Sequence, residues 1–289
     1  MKTEIVGNGP PMVTVIGSIH GDEPCGANAI NRFLSDGPSL RDHASVQFII
    51  ANQEALEQNQ RHLDTDLNRA FPGDPNSDKH EERLAHQIAE ATATTPTMSL
   101  HSTHSTPEPF VLFDEDDPLA PHMADAMPLT KAVDVEAYDD TGFVRCSSVL
   151  EVEAGCQQTD KASENAYQLL CDFLRIFGLL DGEVEDLDTT LYRLGSLVDK
   201  ESPDATYEFV AENFEQVSAG DVFARKNGTP ITADDEFVPI LMSGEGYAEI
   251  LGYAGVELGS LRLSDSRSLP YVVSESATSL NESDSTSQH

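Results

Sequence analysis

The sequence predicts an α/β fold in which a mixed, largely parallel sheet is flanked by helices and followed by a smaller β domain. Two observations carry this prediction. Up to about Leu180, short apolar runs typical of buried strands alternate with longer segments of helical periodicity, which is the pattern of strand–helix–strand units. After Leu180, short strand-like runs are separated by Gly, Pro and Asn turns, and no long helical segment follows.

The apolar runs and the periodic segments give each element of the first part an approximate range. The predicted strands are residues 12–19, 46–51, 98–100, 110–113, 133–137 and 149–153. The predicted helices are residues 27–34 after Pro24, residues 78–92, and a long helix that starts at Thr159 or Asp160 and runs to about Phe177. Gly178 follows this last helix and is suited to end it.

These ranges divide the chain into four parts. We expect an α/β domain over residues 1–180, an acidic and turn-rich linker over 181–190, and a small β domain over 191–263. The strand-like runs of the second domain are residues 207–210, 222–224, 237–241 and 247–253. The tail over 264–289 is rich in Ser, Asp and Glu, a composition typical of mobile segments.

The charge of the chain is strongly acidic. Its 289 residues carry 51 acidic and 17 basic side chains, for a net charge of −34, and six of the basic residues are Lys. Such a surface repels nucleic acid phosphates and anionic membranes, so we expect neither as a partner. An acidic, Lys-poor surface is typical of proteins kept soluble in concentrated salt, which predicts a halophilic, archaeal source.

The cysteines and the N-terminus indicate a cytoplasmic protein. Cys25, Cys146, Cys156 and Cys171 show no CxxC spacing, which argues against a zinc knuckle or a disulfide framework. The first residues lack the apolar core of a signal peptide, and no apolar run reaches the length of a membrane span. We therefore expect reduced thiols.

Three residues at predicted strand ends form a candidate metal site. His20 and Glu23 follow the apolar run 12–19, and His101 follows the run 98–100. Two His and one carboxylate are the ligand set of a hydrolytic zinc site that keeps one position open for water. HxxE by itself is a weak signal, since a loop His and a Glu at a helix start explain it as well. His104 is an alternative third ligand.

Two further motifs carry charged side chains. The loop Arg61 to Gly73 is polar and has no periodicity, and within it Asn68 and Arg69 form a fork that suits a carboxylate. An acidic loop neutralised by its own Arg residues is the alternative. Glu151 and Glu153 lie on one face of an otherwise apolar strand, which is unfavourable unless they face a ligand or water.

With these motifs in this order, the chain resembles the aspartoacylase and succinylglutamate desuccinylase family, within the zinc carboxypeptidase superfamily. The resembling residues are HGDE at 20–23, RHLDTDLNR at 61–69, SLHS at 99–102, EVEAG at 151–155 and EGYAE at 245–249. Each motif is weak by itself, whereas the ordered set is specific. The resemblance implies a zinc carboxypeptidase-like catalytic domain over residues 1–180.

The resemblance also implies roles for single residues. His20, Glu23 and His101 would bind one zinc ion per chain. Glu153 would be the general base, with Glu151 as the second candidate. Arg61 would polarise the scissile carbonyl and stabilise the oxyanion.

Substrate binding is implied for four further residues. Asn68 and Arg69 would hold a substrate carboxylate, and Tyr247 would reach the substrate from the β domain. Arg145 is the nearby candidate for a further substrate-binding arginine, although its spacing to Glu153 is short for the family.

The activity that the resemblance implies is a zinc-dependent amidohydrolase that removes the acyl group from an N-acyl amino acid such as N-acetylaspartate or N-succinylglutamate. Hydrolysis of another small N-acylated metabolite stays open, as does a zinc-dependent binding module without turnover. The family also implies a homodimer.

Overall fold

The computed structural model describes residues 1–135, 142–202, 204–247 and 249–263. Its helices are α1 (Cys25–Asp36), α2 (Gln53–Gln58), α3 (His80–Thr92), α4 (Ala120–Ala126) and α5 (Asp160–Ile176), with short 3-10 helices at Leu67–Arg69 and Phe143–Arg145. Its strands are β1 (Lys2–Gly7), β2 (Val13–Gly17), β3 (Ser45–Ile50), β4 (Thr97–Thr103), β5 (Phe110–Phe113), β6 (Lys131–Asp134), β7 (Val149–Cys156), β8 (Thr189–Asp199), β9 (Tyr207–Phe209), β10 (Val222–Lys226), β11 (Thr229–Thr232), β12 (Val238–Ile240) and β13 (Ile250–Leu261). The tail predicted over residues 264–289 lies outside the described residues, as does the end of the strand predicted over 133–137.

One mixed sheet organises the fold. Its strand order is β1-β3-β2-β4-β7-β5-β6-β8-β13-β12. The neighbours from β3 to β7 are parallel, as are β5, β6 and β8. Four pairs of the described strands are antiparallel: β1–β3, β7–β5, β8–β13 and β13–β12. The predicted α/β class with a mixed, largely parallel sheet is therefore confirmed.

The sheet separates two apolar layers because successive side chains of a strand point to opposite faces. On one face, Val15 and Leu100 pack with Phe33 of α1 and Leu170 of α5. On the other face, Ile16 belongs to a cluster with α3. The second face also carries Ser99 and His101 of β4, so the polar residues of the predicted site share a face with an apolar cluster.

A close crossing of two glycines places α1 against the end of β2. A Cβ atom on Gly26 would lie 2.8 Å from the Gly17 Cα and 2.9 Å from the Leu100 Cβ, closer than side-chain atoms approach. Only glycine at both positions lets the backbone of α1 approach the ends of β2 and β4. The crossing fixes the short connection between β2 and α1, which contains His20 and Glu23.

The strands after residue 188 continue the large sheet. β8 pairs in parallel with β6, with Lys131 opposite Thr190, and β13 and β12 extend the sheet beyond it. β9, β10 and β11 form a separate three-stranded antiparallel sheet. The domain boundary at residues 181–190 stays a prediction. The large sheet contains strands from both sides of this range.

Several elements differ from their predicted ranges. β1 is an exposed edge strand whose sequence KTEIVG begins with three polar residues, so no continuous apolar run marks it. The helices α2 and α4 have six and seven residues, too short for clear periodicity. β8 begins at Thr189, inside the range predicted as linker.

Within the described residues, no helix combines the length and the apolar character that a membrane crossing needs.

Candidate metal centre and substrate pocket

The predicted metal ligands lie at the ends of neighbouring strands. β2 ends at Gly17 and is followed by the loop that contains His20 and Glu23, and β4 pairs in parallel with β2 and contains His101. Parallel neighbours end at the same edge of a sheet, so the loop and His101 meet there. Gly21 is required in this loop, because a Cβ atom there would lie 2.2 Å from the Ala55 carbonyl carbon in α2.

His20, Glu23 and His101 form a compact buried group. One potential ligand atom of each lies within 4.8 Å of the other two. His20 Nδ1 lies 2.8 Å from Glu23 Oε1, and His101 Nδ1 lies 3.1 Å from Glu23 Oε2. All three residues are at most 4% exposed. Both Nδ1 atoms therefore face one carboxylate, and the three side chains could hold a single cation.

The outer nitrogens of the two imidazoles have partners of their own. His20 Nε2 lies 3.0 Å from Asp66 Oδ1, and His101 Nε2 lies 2.8 Å from the Ser99 hydroxyl. Histidines that bind a metal usually hold their second nitrogen on a carboxylate, hydroxyl or carbonyl in this way. Two imidazoles and one carboxylate beside a pocket fit the donor set of a hydrolytic zinc site.

Burial and charge shift the titration of this group. Burial lowers the pKa of His101, but its hydrogen bond to Glu23 and the neighbouring carboxylates Glu151 and Glu153 outweigh burial and raise it to about 9. Burial raises the pKa of Glu23, and the two histidines outweigh this and hold it well below its usual range. Glu23 is therefore ionised at neutral pH and the His101 imidazole beside it is protonated, an arrangement in which a cation could replace the His101 proton.

Arg61 lies beside the candidate metal ligands. Its Nε and Nη2 donate to Asp66 Oδ2 at 3.1 and 3.0 Å, and its Nη1 lies 3.4 Å from Glu23 Oε1. The Arg61 carbonyl also accepts a hydrogen bond from Gly21 N at 3.1 Å. The two segments that contain His20 and Arg61 are thus joined through backbone and side chain.

Glu151 and Glu153 of β7 line the same pocket. In the sheet register, Glu153 stands opposite His101 and Glu151 stands opposite Ser99. The pKa of Glu153 is raised to about 8, mainly because the side chain is buried and secondly because the negative charge of Glu23 is near. Glu151 Oε1 and Glu153 Oε2 are buried and have no hydrogen-bond partner among the described residues. Buried polar atoms of this kind usually face a ligand or an ordered water.

The pocket brings together most of the residues that the sequence predicts for substrate binding. Asn68, Arg69 and Tyr247 line it together with the candidate metal ligands. The Tyr247 ring centre lies 6.0 Å from the Arg61 guanidinium carbon. Part of the lining is aliphatic and comes from one apolar cluster, with Leu112, Val135, Val144, Leu194 and Leu241.

Two predicted candidates take other positions. Arg145 does not line the pocket, because its Nη1 lies 3.0 Å from Asp114 Oδ2 and its Nη2 donates to the Val135 carbonyl at 3.0 Å. His104, the alternative third ligand, lines the pocket near Gly246 but is not part of the group around Glu23.

The structure adds residues that the sequence did not single out. Asp66 contacts both His20 and Arg61, and the Tyr253 hydroxyl accepts from Arg69 Nη2 at 3.5 Å. Glu81 of α3 is buried, and its carboxylate accepts from the backbone N–H groups of residues 63, 64 and 65. Asp66 stands within the resembling motif, whereas Glu81 lies outside every motif.

The chain is similar to known proteins in both sequence and structure. Residues 10–149 match the sequence model of the succinylglutamate desuccinylase/aspartoacylase catalytic domain. An N-acyl-aromatic-L-amino acid amidohydrolase (carboxylate-forming) of Xenopus laevis is 30% identical over 139 residues, which cover 43% of this chain and 45% of that protein. The chain thus spans less than half the length of the curated relatives it matches.

Solved structures share the fold at low sequence identity. The product-bound ectoine utilization protein EutE of Ruegeria pomeroyi has a TM-score of 0.70 at 18% identity, with 90% of this chain and 88% of that chain covered. A succinylglutamate desuccinylase/aspartoacylase of Rhodobacter sphaeroides has a TM-score of 0.70 at 19% identity, with 88% and 89% covered. These similarities show a shared fold over 88–90% of the chain.

Proposed function

We propose, from the match of residues 10–149 to the succinylglutamate desuccinylase/aspartoacylase catalytic domain, that the protein is a zinc-dependent amidohydrolase of that family. Its substrate is an N-acyl amino acid, from which it removes the acyl group. The observation that carries the proposal is the buried group of His20, Glu23 and His101 in one pocket with Glu153. A zinc ion bound there would lower the pKa of a water molecule toward ~7 and polarise the scissile carbonyl.

Glu153 moves the proton in this proposal. Its Oε2 atom has no hydrogen-bond partner among the described residues, so it is available to the attacking water. The Glu153 carboxyl loses its own proton when the neighbouring ligands hold a divalent cation, because a nearby positive charge lowers its pKa. It then accepts a proton from the water and donates it to the leaving nitrogen.

Arg61, Asn68, Arg69 and Tyr247 bind and orient the substrate. Arg61 is held by two bonds to Asp66, so its guanidinium is oriented before the substrate arrives. From that position it donates to the carbonyl oxygen, where negative charge develops. Asn68 and Arg69 hold the α-carboxylate with a bidentate pattern. Tyr247, close to Arg61, covers the bound substrate.

The test is an assay of purified protein, with its metal content measured first. The assay measures release of the free amino acid from a panel of N-acetylaspartate, N-succinylglutamate and other N-acyl amino acids. The proposal predicts about one zinc per chain, turnover that a chelator abolishes, and recovery on adding zinc. A His101→Ala variant should lose both zinc and turnover, and an Asp36→Asn variant on the surface of α1 should retain both. Zinc-loaded protein that hydrolyses no member of the panel would contradict the proposal.

The cytoplasmic location, the homodimer and the halophilic source remain part of this proposal. The low Lys content and the net charge of −34 support the last of them.

A further inference from the structure

A short loop between β12 and β13 brings Tyr247 to the pocket. This loop, residues 243–247, is called the Tyr247 loop below, and its residues Ser243, Glu245, Gly246 and Tyr247 line the pocket together with the candidate metal ligands. Burial raises the pKa of the Tyr247 hydroxyl, which therefore stays neutral and can donate a hydrogen bond. In the proposed function Tyr247 covers the bound substrate, so its contribution depends on where the loop stands.

The start of the Tyr247 loop is fixed by Asn213. Asn213 Nδ2 donates to the carbonyls of Met242 and Ser105, each at 2.9 Å, and Met242 N donates to Asn213 Oδ1 at 2.8 Å. Ser105 follows β4, the strand that contains His101. The residue that precedes the loop is therefore tied to the segment that follows a candidate metal ligand.

The rest of the Tyr247 loop is held by Lys200, which directly follows β8. Its Nζ donates to the Gly244 carbonyl at 2.9 Å and to the Tyr247 carbonyl at 2.6 Å. Its backbone N donates to the Glu249 carbonyl at 2.8 Å, just beyond the loop. Hydrogen bonds from a charged donor are stronger than those between neutral groups. One ammonium thus joins two points of the loop to the end of a strand of the large sheet.

The partners of Lys200 are unusual for this chain. The chain has 51 acidic side chains and six lysines, and three of these lysines pair with carboxylates: Lys79, Lys131 and Lys226. Lys200 has no ion pair among the described residues, and burial lowers the pKa of its ammonium. A partly buried ammonium that meets two carbonyls of one loop, in a chain so rich in carboxylates, indicates that its role is to hold that loop.

Two glycines allow the loop to follow this path. A Cβ atom on Gly244 would lie 2.2 Å from the Tyr207 carbonyl oxygen, so the loop lies directly against β9. Gly246 has a φ of +82°, and a Cβ atom there would lie 3.3 Å from His104 Cδ2. Because glycine leaves the backbone free to take many conformations, the position of this loop depends on the hydrogen bonds that reach it from outside.

We propose that Lys200 is a positioning residue whose ammonium holds the Tyr247 loop at the pocket and so places Tyr247 beside Arg61. The Tyr247 ring centre lies 6.0 Å from the Arg61 guanidinium carbon. Without the ammonium, the loop keeps its attachment through Asn213 and loses the one at Gly244 and Tyr247. The effect on turnover rests on the proposed deacylase function, whereas the effect on the loop rests on these contacts alone.

Hydrogen exchange of the full-length, zinc-loaded protein tests the attachment without any substrate. Lys200→Met keeps the length of the side chain and removes the ammonium. Peptides that cover residues 243–247 should exchange about tenfold or more faster in this variant, since a hydrogen bond to a charged group contributes about that factor. Lys226→Met is the matched control, because Lys226 lies at the surface of β10 and its Nζ lies 2.7 Å from Glu201. It should leave these peptides unchanged, and unchanged exchange in Lys200→Met would overturn the inference whatever the activity.

Kinetics then test whether Lys200 acts through Tyr247. On the best substrate of the N-acyl amino acid panel, Lys200→Met should lower kcat/KM about 10- to 100-fold with one zinc still bound per chain. Lys200→Arg, which keeps the charge and the donors, should lower it less. In a Tyr247→Ala background, Lys200→Met should change kcat/KM by less than about twofold, because no tyrosine is left to place. An equal loss in both backgrounds would show a merely structural role and overturn the inference.

The two measurements separate this inference from the proposed function. Full kcat/KM in Lys200→Met, with an active unmodified enzyme, would overturn the positioning role and leave the deacylase function standing. If the unmodified enzyme turns over no member of the panel, the deacylase function is overturned and the exchange of residues 243–247 decides the role of Lys200. If Lys200→Met does not fold, Lys200→Gln, which keeps a neutral donor, takes its place in both measurements with the same expected directions.

Discussion

The two carboxylates of β7 differ in their neighbours across the sheet. Glu153 stands opposite His101, a candidate metal ligand, whereas Glu151 stands opposite Ser99 and Leu112. Burial and the charge of Glu23 raise the pKa of Glu153 to about 8. A carboxylate beside a metal-bound water can take its proton, and the position of Glu153 opposite His101 therefore suits the general base.

The first prediction concerns Glu153. Glu153→Gln keeps the size and polarity of the side chain but removes its ability to accept the proton of the attacking water. We expect kcat to fall by about 10²- to 10⁴-fold, the usual contribution of a general base. Zinc content, measured by atomic emission, should stay at one per chain because Glu153 is not a ligand. Full activity in zinc-loaded Glu153→Gln would show that Glu153 is not the general base.

The second prediction concerns the pH dependence of zinc binding. In the metal-free protein, contacts with Glu23 and neighbouring carboxylates raise the pKa of His101 to about 9, so its imidazole is protonated at neutral pH. That proton must leave before a metal can bind. The apparent zinc affinity should therefore rise about tenfold or more per pH unit from pH 7 to 9 and level off above. Competition with a chelator of known affinity at each pH measures this, and an affinity that is constant over that range would contradict it.

Single residues of the site were predictable where a motif identifies them. His20, Glu23, His101 and Glu153 follow from the ordered motifs, and the structure brings them to one pocket. Arg145 was predicted as the nearby arginine before Glu153, although its spacing is short for the family, and its Nη1 instead lies 3.0 Å from Asp114 Oδ2. The register of β7 with β4 and β5, which separates Glu151 from Glu153, arises from the assembled sheet and not from local sequence.

At the level of elements, α3 holds the loop that contains Arg61 and Asp66. The buried Glu81 carboxylate accepts from three successive backbone N–H groups, at 2.7, 3.0 and 3.2 Å, and from Asn52 Nδ2 at 3.0 Å. Asp64 of the loop also accepts a hydrogen bond from His80 N, at the start of α3, at 2.7 Å. The loop has no regular structure over most of its length, so these bonds determine where its charged side chains stand.

The third prediction follows from this arrangement. Glu81→Gln replaces one acceptor oxygen with a donor and leaves buried N–H groups without partners. We expect the free energy of unfolding to fall by about 1–3 kcal/mol. Activity should fall as well, because Arg61 and Asp66 lose their fixed positions. Chemical denaturation and kcat/KM measure the two effects. Glu90→Gln, exposed on the same helix, is the matched control, and equal behaviour of the two variants would contradict the role of Glu81.

The predictability of each element depended on how local its signals are. The helix α5 starts where predicted, since Thr159 accepts from Ala162 N at 3.1 Å and caps it. β1 is a strand because it pairs with β3, whereas its own residues are mostly exposed and begin with three polar side chains. β8 joins the large sheet by pairing with β6, which is distant in sequence. The acidic residues before β8 read as a linker, so its start could not be predicted from them.

For the whole molecule, the net charge of −34 opposes the compact state through self-repulsion. Many of the described ion pairs lie at the surface, such as Arg32–Glu164 and Arg41–Asp181, and pairs of this kind contribute little individually. Salt shortens the range of the repulsion from ~10 Å at 0.1 M to ~3 Å at 1 M. The stability of the fold should therefore depend on ionic strength.

The fourth prediction is a rise in Tm with salt. Between 0.1 and 1 M KCl, the Tm measured by circular dichroism should rise by several degrees, and the rise should flatten toward 3 M because screening saturates. An effect that grows linearly up to 3 M would indicate exclusion of salt from apolar surface instead. A Tm that is independent of KCl would contradict the expected adaptation to concentrated salt.

The measurement that tests the central claim most directly is anomalous diffraction at the zinc edge from crystals of the zinc-loaded protein. We expect one strong peak per chain, at ~2.0–2.2 Å from His20 Nδ1, His101 Nδ1 and the Glu23 carboxylate, with an open position toward Glu153. A peak elsewhere, or a fourth protein ligand such as His104 that closes the site, would contradict a hydrolytic metal centre.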